Sequence, residues 1–298
     1  FCSDRLALRA TIARHLSQDM EAAIGAAIAQ AQADLPEPIA LCIALPESLT
    51  VSAAQVVDCL RRQLGDRVPI CGGLTADPWL FQRTQQFCGT EVQRDAVALL
   101  LFAGPLLLSH GVASGWTPMG KPGIVTKARG NVVYEIDEQP ALAFYQRYLQ
   151  QVEPAPEYPL AVFTGDNGSH FYLRAPSGVC DRDSGSVTFF GDLPEGAIVQ
   201  ISQATRDGIL SASATSAQTA MQQYPGREPA VALFFSCASR RQILGSRTGE
   251  EYQRTQQSLP VNLPSCGFYT NGEIAPLEQQ APSWLHNETF ITLLMGED

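Results

Sequence analysis

Two stretches of this chain read alike, and that echo limits what it can fold into. In the first, Ile39-Ala-Leu-Cys42-Ile-Ala-Leu45 has a strand pattern, Val51 to Leu64 is helical, and Pro69-Ile-Cys71-Gly72-Gly73 follows. In the second, the apolar run Ala230-Val-Ala-Leu-Phe-Phe-Ser-Cys237 ends in Cys, Ser and Arg. A helical stretch and then Pro264-Ser-Cys266-Gly267-Phe268-Tyr269-Thr270-Asn271-Gly272-Glu273 come next. Both copies run strand, helix, Pro-X-Cys-Gly strand, turn, strand. The expectation is an α/β fold of two domains with mixed β-sheets flanked by helices. Residues 39–103 and 230–295 form related strand–helix–strand–strand units, with Cys71 and Cys266 equivalent.

The 298 residues suffice for two domains, and 45% apolar with 17% charged residues suits a globular chain. Thirty acids against twenty bases give a net charge of -10. That balance argues against nucleic acid as a ligand and against an anionic membrane surface. The eight Cys include no C-x-x-C pair, which disfavours a zinc knuckle. A reduced, cytoplasmic setting is preferred to a disulfide framework. No signal peptide is visible. The run Ala96 to Leu108 is too short to span a bilayer and is broken by Gly104-Pro105. The chain opens on Phe1-Cys2 rather than Met, which points to something missing upstream.

Alternation at Leu6, Leu8, Ala10 and Ile12 predicts a strand over 5–14, and Ser17 is placed to cap an Ala-rich helix to Ala33. Further strands are expected at 80–87, 95–103 and 106–113. Gly111 to Gly123 has loop composition but carries Trp116 and Met119. A hairpin turns at Gly130-Asn131, and Pro140 opens a helix to about Gln151. The Pro-rich stretch Glu153 to Pro159 is linker-like, and the second domain starts there or one helix earlier; with the earlier start the domains are drawn at 1–137 and 138–298. Strands at 160–164, 170–175, 186–190 and 197–203 are separated by the turns Asp166-Asn-Gly168 and Asp183-Ser-Gly185. A helix from Thr205 to Gln223 and a buried last strand, 287–295, complete the reading.

No phosphate loop, nucleophile elbow or dinucleotide fingerprint is present. Asp181-Arg-Asp183-Ser-Gly185 starts like a calcium loop, lacks the later ligands, and reads as a turn. Cys237 stands near Arg240 and Arg241, which can lower a thiol pKa. It reads first as a half-buried Cys at a strand end and second as a nucleophile. Of His15, His110, His170 and His286, His110 precedes the stretch with Trp116 and Met119, which can wall an apolar cofactor. That makes it the first candidate metal ligand, with haem as the possible cofactor. Tyr269, Glu273, Asn287 and Thr289 fall near the ends of the last strands, where Cys237, Arg240 and Arg174 can join them. There Arg240 and Glu273 either hold the polar ends of a small ligand or simply pair with each other.

Seven motifs stand in order along the chain: Cys71-Gly72-Gly73-Leu-Thr-Ala-Asp77, Gly111-Val-Ala-Ser-Gly115-Trp116, Val125-Thr-Lys-Ala-Arg129-Gly130-Asn131, Pro140-Ala141-Leu142, Leu193-Pro194-Glu195-Gly196, Phe235-Ser-Cys237-Ala-Ser-Arg240 and Gly267-Phe268-Tyr269-Thr270-Asn271-Gly272-Glu273. Together they resemble the FIST sensory domain family over nearly the whole chain. The resemblance implies an intracellular small-ligand sensor without catalysis. Its partner would be a separate signalling protein such as a histidine kinase or a cyclic-di-GMP enzyme, since no output domain is present. It also implies, for some members, haem-based sensing of nitric oxide, and a strand–helix–strand portion ahead of Phe1. The alternative is an enzyme with Cys237 as nucleophile.

Overall fold

The computed structural model describes residues 3–77, 80–164 and 170–297. β1 (Ala7–Arg14) leads into α1 (Leu16–Ala33), and β2 (Ile39–Pro46) crosses through α2 (Ala53–Leu64) to β3 (Ile70–Gly73). A hairpin of β4 (Gln86–Cys88) and β5 (Glu91–Gln93) precedes β6 (Ala96–Ala103). β7 (Leu107–Ala113) begins a second run, which an inserted unit interrupts. The insertion holds β8 (Trp116–Pro118), β9 (Gly123–Arg129), β10 (Val132–Ile136), β11 (Gln139–Pro140), α3 (Ala141–Leu149), β12 (Leu160–Thr164), β13 (His170–Arg174), β14 (Pro176–Asp181), β15 (Ser186–Phe189) and β16 (Ile198–Ala204). The run resumes with α4 (Arg206–Gln223), β17 (Val231–Cys237), α5 (Ala238–Leu244), α6 (Thr248–Gln257) and β18 (Ser265–Thr270). It closes with β19 (Glu273–Pro276), β20 (Ser283–His286) and β21 (Phe290–Gly296).

The internal echo is a topological repeat. One sheet runs β1-β6-β2-β3 and continues into β19-β20; another runs β7-β21-β17-β18. In each, two antiparallel pairings are followed by a parallel one, β2 with β3 and β17 with β18. Cys71 lies opposite Ile43 and Cys266 opposite Leu233, so the two cysteines occupy equivalent strands. The nine-stranded insertion sits between β7 and α4, where the first run passes directly from β1 to α1.

The two repeat sheets stack face to face, and that explains why their strands read as unbroken apolar runs. Side chains alternate across a strand. Cys42 and Ala44 of β2 therefore face α1 and α2, packing with Ile24, Val56 and Leu60. Leu41 and Ile43 face the other sheet, packing with Phe102, Phe235, Ile291 and Leu293. Each such large apolar side chain contributes about 1.5–3 kcal/mol when fully buried. Beyond the second sheet, α4 supplies Ala217 and Ala220 against Ala232, Phe234, Phe290 and Leu294. The layers are thus helix, sheet, sheet, helix. α4 lies so close to β7 that a Cβ on Gly111 would sit 2.0 Å from the Ser216 carbonyl oxygen. In the insertion, Phe144 and Tyr145 of α3 pack against Val125, Val133, Val162, Val187 and Val199.

The hydrogen-bonded sheets do not divide at residue 137. β7 completes the sheet of the second run, and β19 extends the sheet of the first by pairing with β3. Where the chain crosses between sheets, the Leu74 N–H donates to the Gly272 carbonyl (2.8 Å) and the Asn271 N–H to the Leu74 carbonyl (3.0 Å).

Several local expectations change. The predicted strand over 80–87 shrinks to Gln86–Cys88. The Asp77 carboxylate accepts the backbone N–H groups of Leu80, Phe81, Gln82 and Arg83, which bends that segment into a turn. Ser17 does not cap α1; its hydroxyl and N–H both donate to the Asp95 carboxylate. Trp116 to Pro118 pairs with β16 rather than forming a loop. Residues 287–289 form the turn before the last strand. The expected turn at Asp166 to Gly168 lies outside the described residues. Among the described residues no helix is long and apolar enough to cross a membrane.

Candidate functional site

In open α/β sheets, ligands bind beyond the carboxyl ends of the parallel strands, because the chain leaves them in diverging directions. Here the ends of β2 and β17 lie in a common region. Their registers make Glu47 and Cys237 counterparts, each four residues past the partner of a Cys-Gly cysteine. Glu47 is buried, and its carboxylate accepts the N–H groups of Leu49 (2.8 Å), Thr50 (2.9 Å) and Val51 (2.7 Å). That organises the loop ahead of α2 and turns Ser48, Thr50 and Ser52 into an outer cleft of about 380 Å³. The opposite wall is Asn131, Thr188, Phe190 and Asp192 of the insertion, and Ser52 donates to Asp192 (3.2 Å).

A smaller inner cavity, about 20 Å³, lies under the end of β17. It has room for about one water. Cys237, Ser239, Thr270, Asn287 and Glu288 line it, and it shares Phe81, Phe190 and Asn271 with the outer cleft. The rings of Phe81 and Phe190 stack between them, with centroids 5.7 Å apart.

The inner cavity is chemically loaded. Ser239 donates to one oxygen of Glu288, and the Cys237 sulfur lies 3.2 Å from the Ser239 hydroxyl. The other Glu288 oxygen, Oε1, has no partner among the described residues. Burial pushes the Glu288 carboxyl up to about 8, with the nearby Glu273 charge adding to the shift. Glu273, behind the cavity, is also pushed up to about 8 by burial, opposed by donation from Thr270 (2.7 Å) and Thr289 (2.8 Å). Two residues lining the cavity hold left-handed backbone, Phe81 at φ 47° and Glu288 at φ 59°. Strain of that kind costs about 1–3 kcal/mol per residue and gathers at functional sites.

The other candidates take different places. Arg240 is fully buried, but it does not pair with Glu273. Its guanidinium bonds Glu251 (2.9 Å), the Ile209 carbonyl (2.9 Å) and the Ser114 carbonyl. Ser236 (3.0 Å) and Tyr269 (2.8 Å) both donate to the remaining Glu251 oxygen. This network, rather than a ligand, satisfies Arg240 and Tyr269. Arg241 lies over the Tyr269 ring at 5.9 Å. Arg174 is a clamp, donating to the carbonyls of Asp192 (3.1 Å), Leu173 (3.0 Å) and Leu285 (3.1 Å). Asn287 lines the cavity while its side chain bonds the Ala175 N–H and the His286 carbonyl. Phe268 is half exposed and stacks edge-on with Phe235.

The expectation that Arg240 lowers the Cys237 pKa is therefore corrected. Burial pushes the thiol well above its ordinary value, and Glu273 and Glu288 add to the shift. A thiolate nucleophile requires the reverse. Ser239, Thr270, Glu288, Phe81 and Phe190 were not singled out from the sequence. Glu288 had a signal: a carboxylate between Asn287 and Thr289, ahead of an apolar strand. Phe190 had none.

His110 lies elsewhere, at the floor of a groove of about 330 Å³ with Arg67, Pro69, Leu108, Gln223, Gln279 and Gln280 around it. The apolar wall expected there is not built. Trp116 packs with Ala161, Leu173 and Ile209 and donates to the Glu157 carbonyl (3.1 Å), and Met119 packs on the core of the insertion. Among the described residues neither imidazole nitrogen makes a well-formed hydrogen bond; the Pro276 carbonyl lies near enough to the ring to favour its protonation. Burial outweighs it and pushes the pKa down to about 4, so the ring is neutral. A neutral ring suits iron, but neither Trp116 nor Met119 lines the groove, and its walls mix Leu108 and prolines with Arg67 and three glutamines, which is not the dry slot that a haem needs. Among the described residues no group of three or more His, Cys, Asp or Glu could hold a metal ion.

Family models match on both sides of residue 140. The FIST N domain matches residues 1–139 and the FIST C domain residues 141–276. The chain belongs to the FIST family, whose domains are small-ligand-sensing modules of signalling proteins. An uncharacterised protein of Methanocaldococcus jannaschii is 33% identical over 144 residues, 47% of this chain and 27% of its own length. Uncharacterised proteins of Mycobacterium bovis and Mycobacterium tuberculosis are each 27% identical over 203 residues, 63% of this chain and 50% of their own. The chain thus spans half or less of these relatives. A crystal structure of chorismatase aligns over 98% of this chain and 75% of its own at 9% identity, with a TM-score of 0.33, which is too slight a likeness to carry an argument.

Proposed function

We propose that this protein senses a small organic molecule without transforming it, and that the ligand enters the outer cleft and contacts Glu288 in the inner cavity. The observation that carries this reading is the coincidence at one cavity of a buried, unpaired carboxyl oxygen with two strained residues, Phe81 and Glu288. A molecule seated there would touch both the repeat strands and the insertion, so it can change how the two pack. A separate cytoplasmic partner, such as a histidine kinase or a cyclic-di-GMP enzyme, would read that change. The haem form of the reading finds no support in the residues around His110, and an absorption spectrum after haem reconstitution decides it. The enzyme alternative would need Cys237 as a thiolate, which burial opposes. Native mass spectrometry of untreated protein tests the main reading: a retained small molecule, lost in Glu288→Ala, is expected. Mass spectra without a retained molecule, together with no stabilisation by any member of a metabolite library, would reject it.

A further inference from the structure

The His110 groove lies at the opposite end of the strands from the cleft. Ala40 and Pro69, at the amino ends of β2 and β3, line it, whereas the cleft begins past Pro46. The eight residues of β2 put roughly 25 Å between the two. A buried imidazole with neither nitrogen bonded is uncommon, because an unmet buried donor or acceptor destabilises the fold. Everything around His110 is nonetheless well braced. The Gln279 amide donates to the His110 carbonyl (3.1 Å) and to Gln223 (2.8 Å). Gln280, also on the wall, holds a left-handed φ of 65°.

The lining defines the ligand's chemistry. In a chain with ten more acids than bases, this groove carries no Asp or Glu among its lining residues. Its only formal charge is Arg67, which is exposed and makes no ion pair among the described residues. The neutral ring offers one N–H donor and one acceptor. A volume near 330 Å³ is within the range of small-molecule sites.

We propose that this groove is a second ligand site, independent of the cleft, and that it takes a small carboxylate with a further oxygen, such as a 2-oxo or hydroxy acid. Arg67 holds the carboxylate at the mouth, in the forked geometry guanidinium favours. The His110 N–H donates to the second oxygen at the floor, and the glutamine amides close the sides.

The test uses the full chain with ¹⁵N-labelled histidine, titrated with 2-oxoglutarate, pyruvate and lactate, and with acetamide as the uncharged control. A saturable shift of the His110 ring nitrogens is expected with at least one acid and not with acetamide. Arg67→Ala, a surface change, should weaken that binding about tenfold, the loss expected for one charge-assisted contact. His110→Leu should abolish binding measured by calorimetry. Phe190→Ala, which alters only the cleft, should leave it unchanged, so failure here and failure of the cleft reading are separable. No saturable shift with any acid, or a shift indifferent to Arg67→Ala, would overturn the proposal and leave water as the partner of the ring. If His110→Leu does not fold, the Arg67→Ala titration decides alone.

Discussion

Phe81 lies nearly parallel to Phe190, their planes 23° apart, where the outer cleft meets the inner cavity. Both rings line both spaces, with Ser48 on the outer side and Cys237 on the inner. Replacing Phe190 with Ala should open the inner space. Cys237 is free and buried, so its alkylation in the native protein should be slow and should accelerate clearly in the variant. Mass-spectrometric rates at this residue check it, with the exposed Cys266 as internal reference. Equal rates in both proteins would mean that the aromatic pair does not control access.

Arg240 and Glu251 form a buried ion pair with every donor directed at an acceptor. Removing one partner leaves the other charge stranded. Arg240→Met should cost about 3–5 kcal/mol in urea unfolding, and Arg240→Met with Glu251→Leu should recover part of that loss. A single-variant cost below about 1 kcal/mol would place the pair in the class of surface bridges.

The carboxyls of Glu273 and Glu288 should make stability depend on pH as a coupled pair. Both are raised from an ordinary 4.5 to about 8, so the folded state binds more protons than the unfolded one in that window. Their stabilising effect is complete below about pH 4.5 and is lost as pH rises to about 8. His110 and His286, pushed down from 6.5 to about 4, act in the opposite sense on acidification. The difference between wild type and Glu288→Gln isolates the carboxyl. Melting temperatures from pH 5 to 8 should fall less in the variant. Parallel curves would mean that Glu288 ionises normally.

Glu47 offers a simpler test. Its carboxylate meets three backbone N–H groups of the loop ahead of α2, whose cap is Ser52. Glu47→Ala should cost about 1–3 kcal/mol and speed amide exchange at Leu49, Thr50 and Val51. Unchanged protection at those amides would contradict the assignment.

The repeat was legible because the first strand of each copy is an apolar run and the parallel strand of each opens with Pro-X-Cys-Gly, a pattern that neighbouring residues make by themselves. The position of the insertion was not, because it depends on β7 pairing with β21, and pairing across so many residues leaves no local mark. Arg240 was recognised as important but given the wrong partner. In the sequence nothing sets Glu251 apart from its neighbour Glu250, and the packing of α6 against α4 turns it inward. Asn287 and Cys237 were read from strand ends and do line the cavity, whereas Phe190 lies on a loop of the insertion that nothing nearby distinguishes.

The pairing of β7 with β21 also bears on how the molecule comes into being. β7 is made early, yet the strand that flanks it, residues 290–296, is made last of all the elements described. Until then β7 carries an open edge beside the apolar side chains of Leu108 and Val112. Such edges recruit other chains. On the ribosome the first run can close on its own strands, but the second must wait until residues 290–296 have been made. Its yield in a cell should therefore depend on chaperones that shield a waiting strand more than on the stability of the folded product.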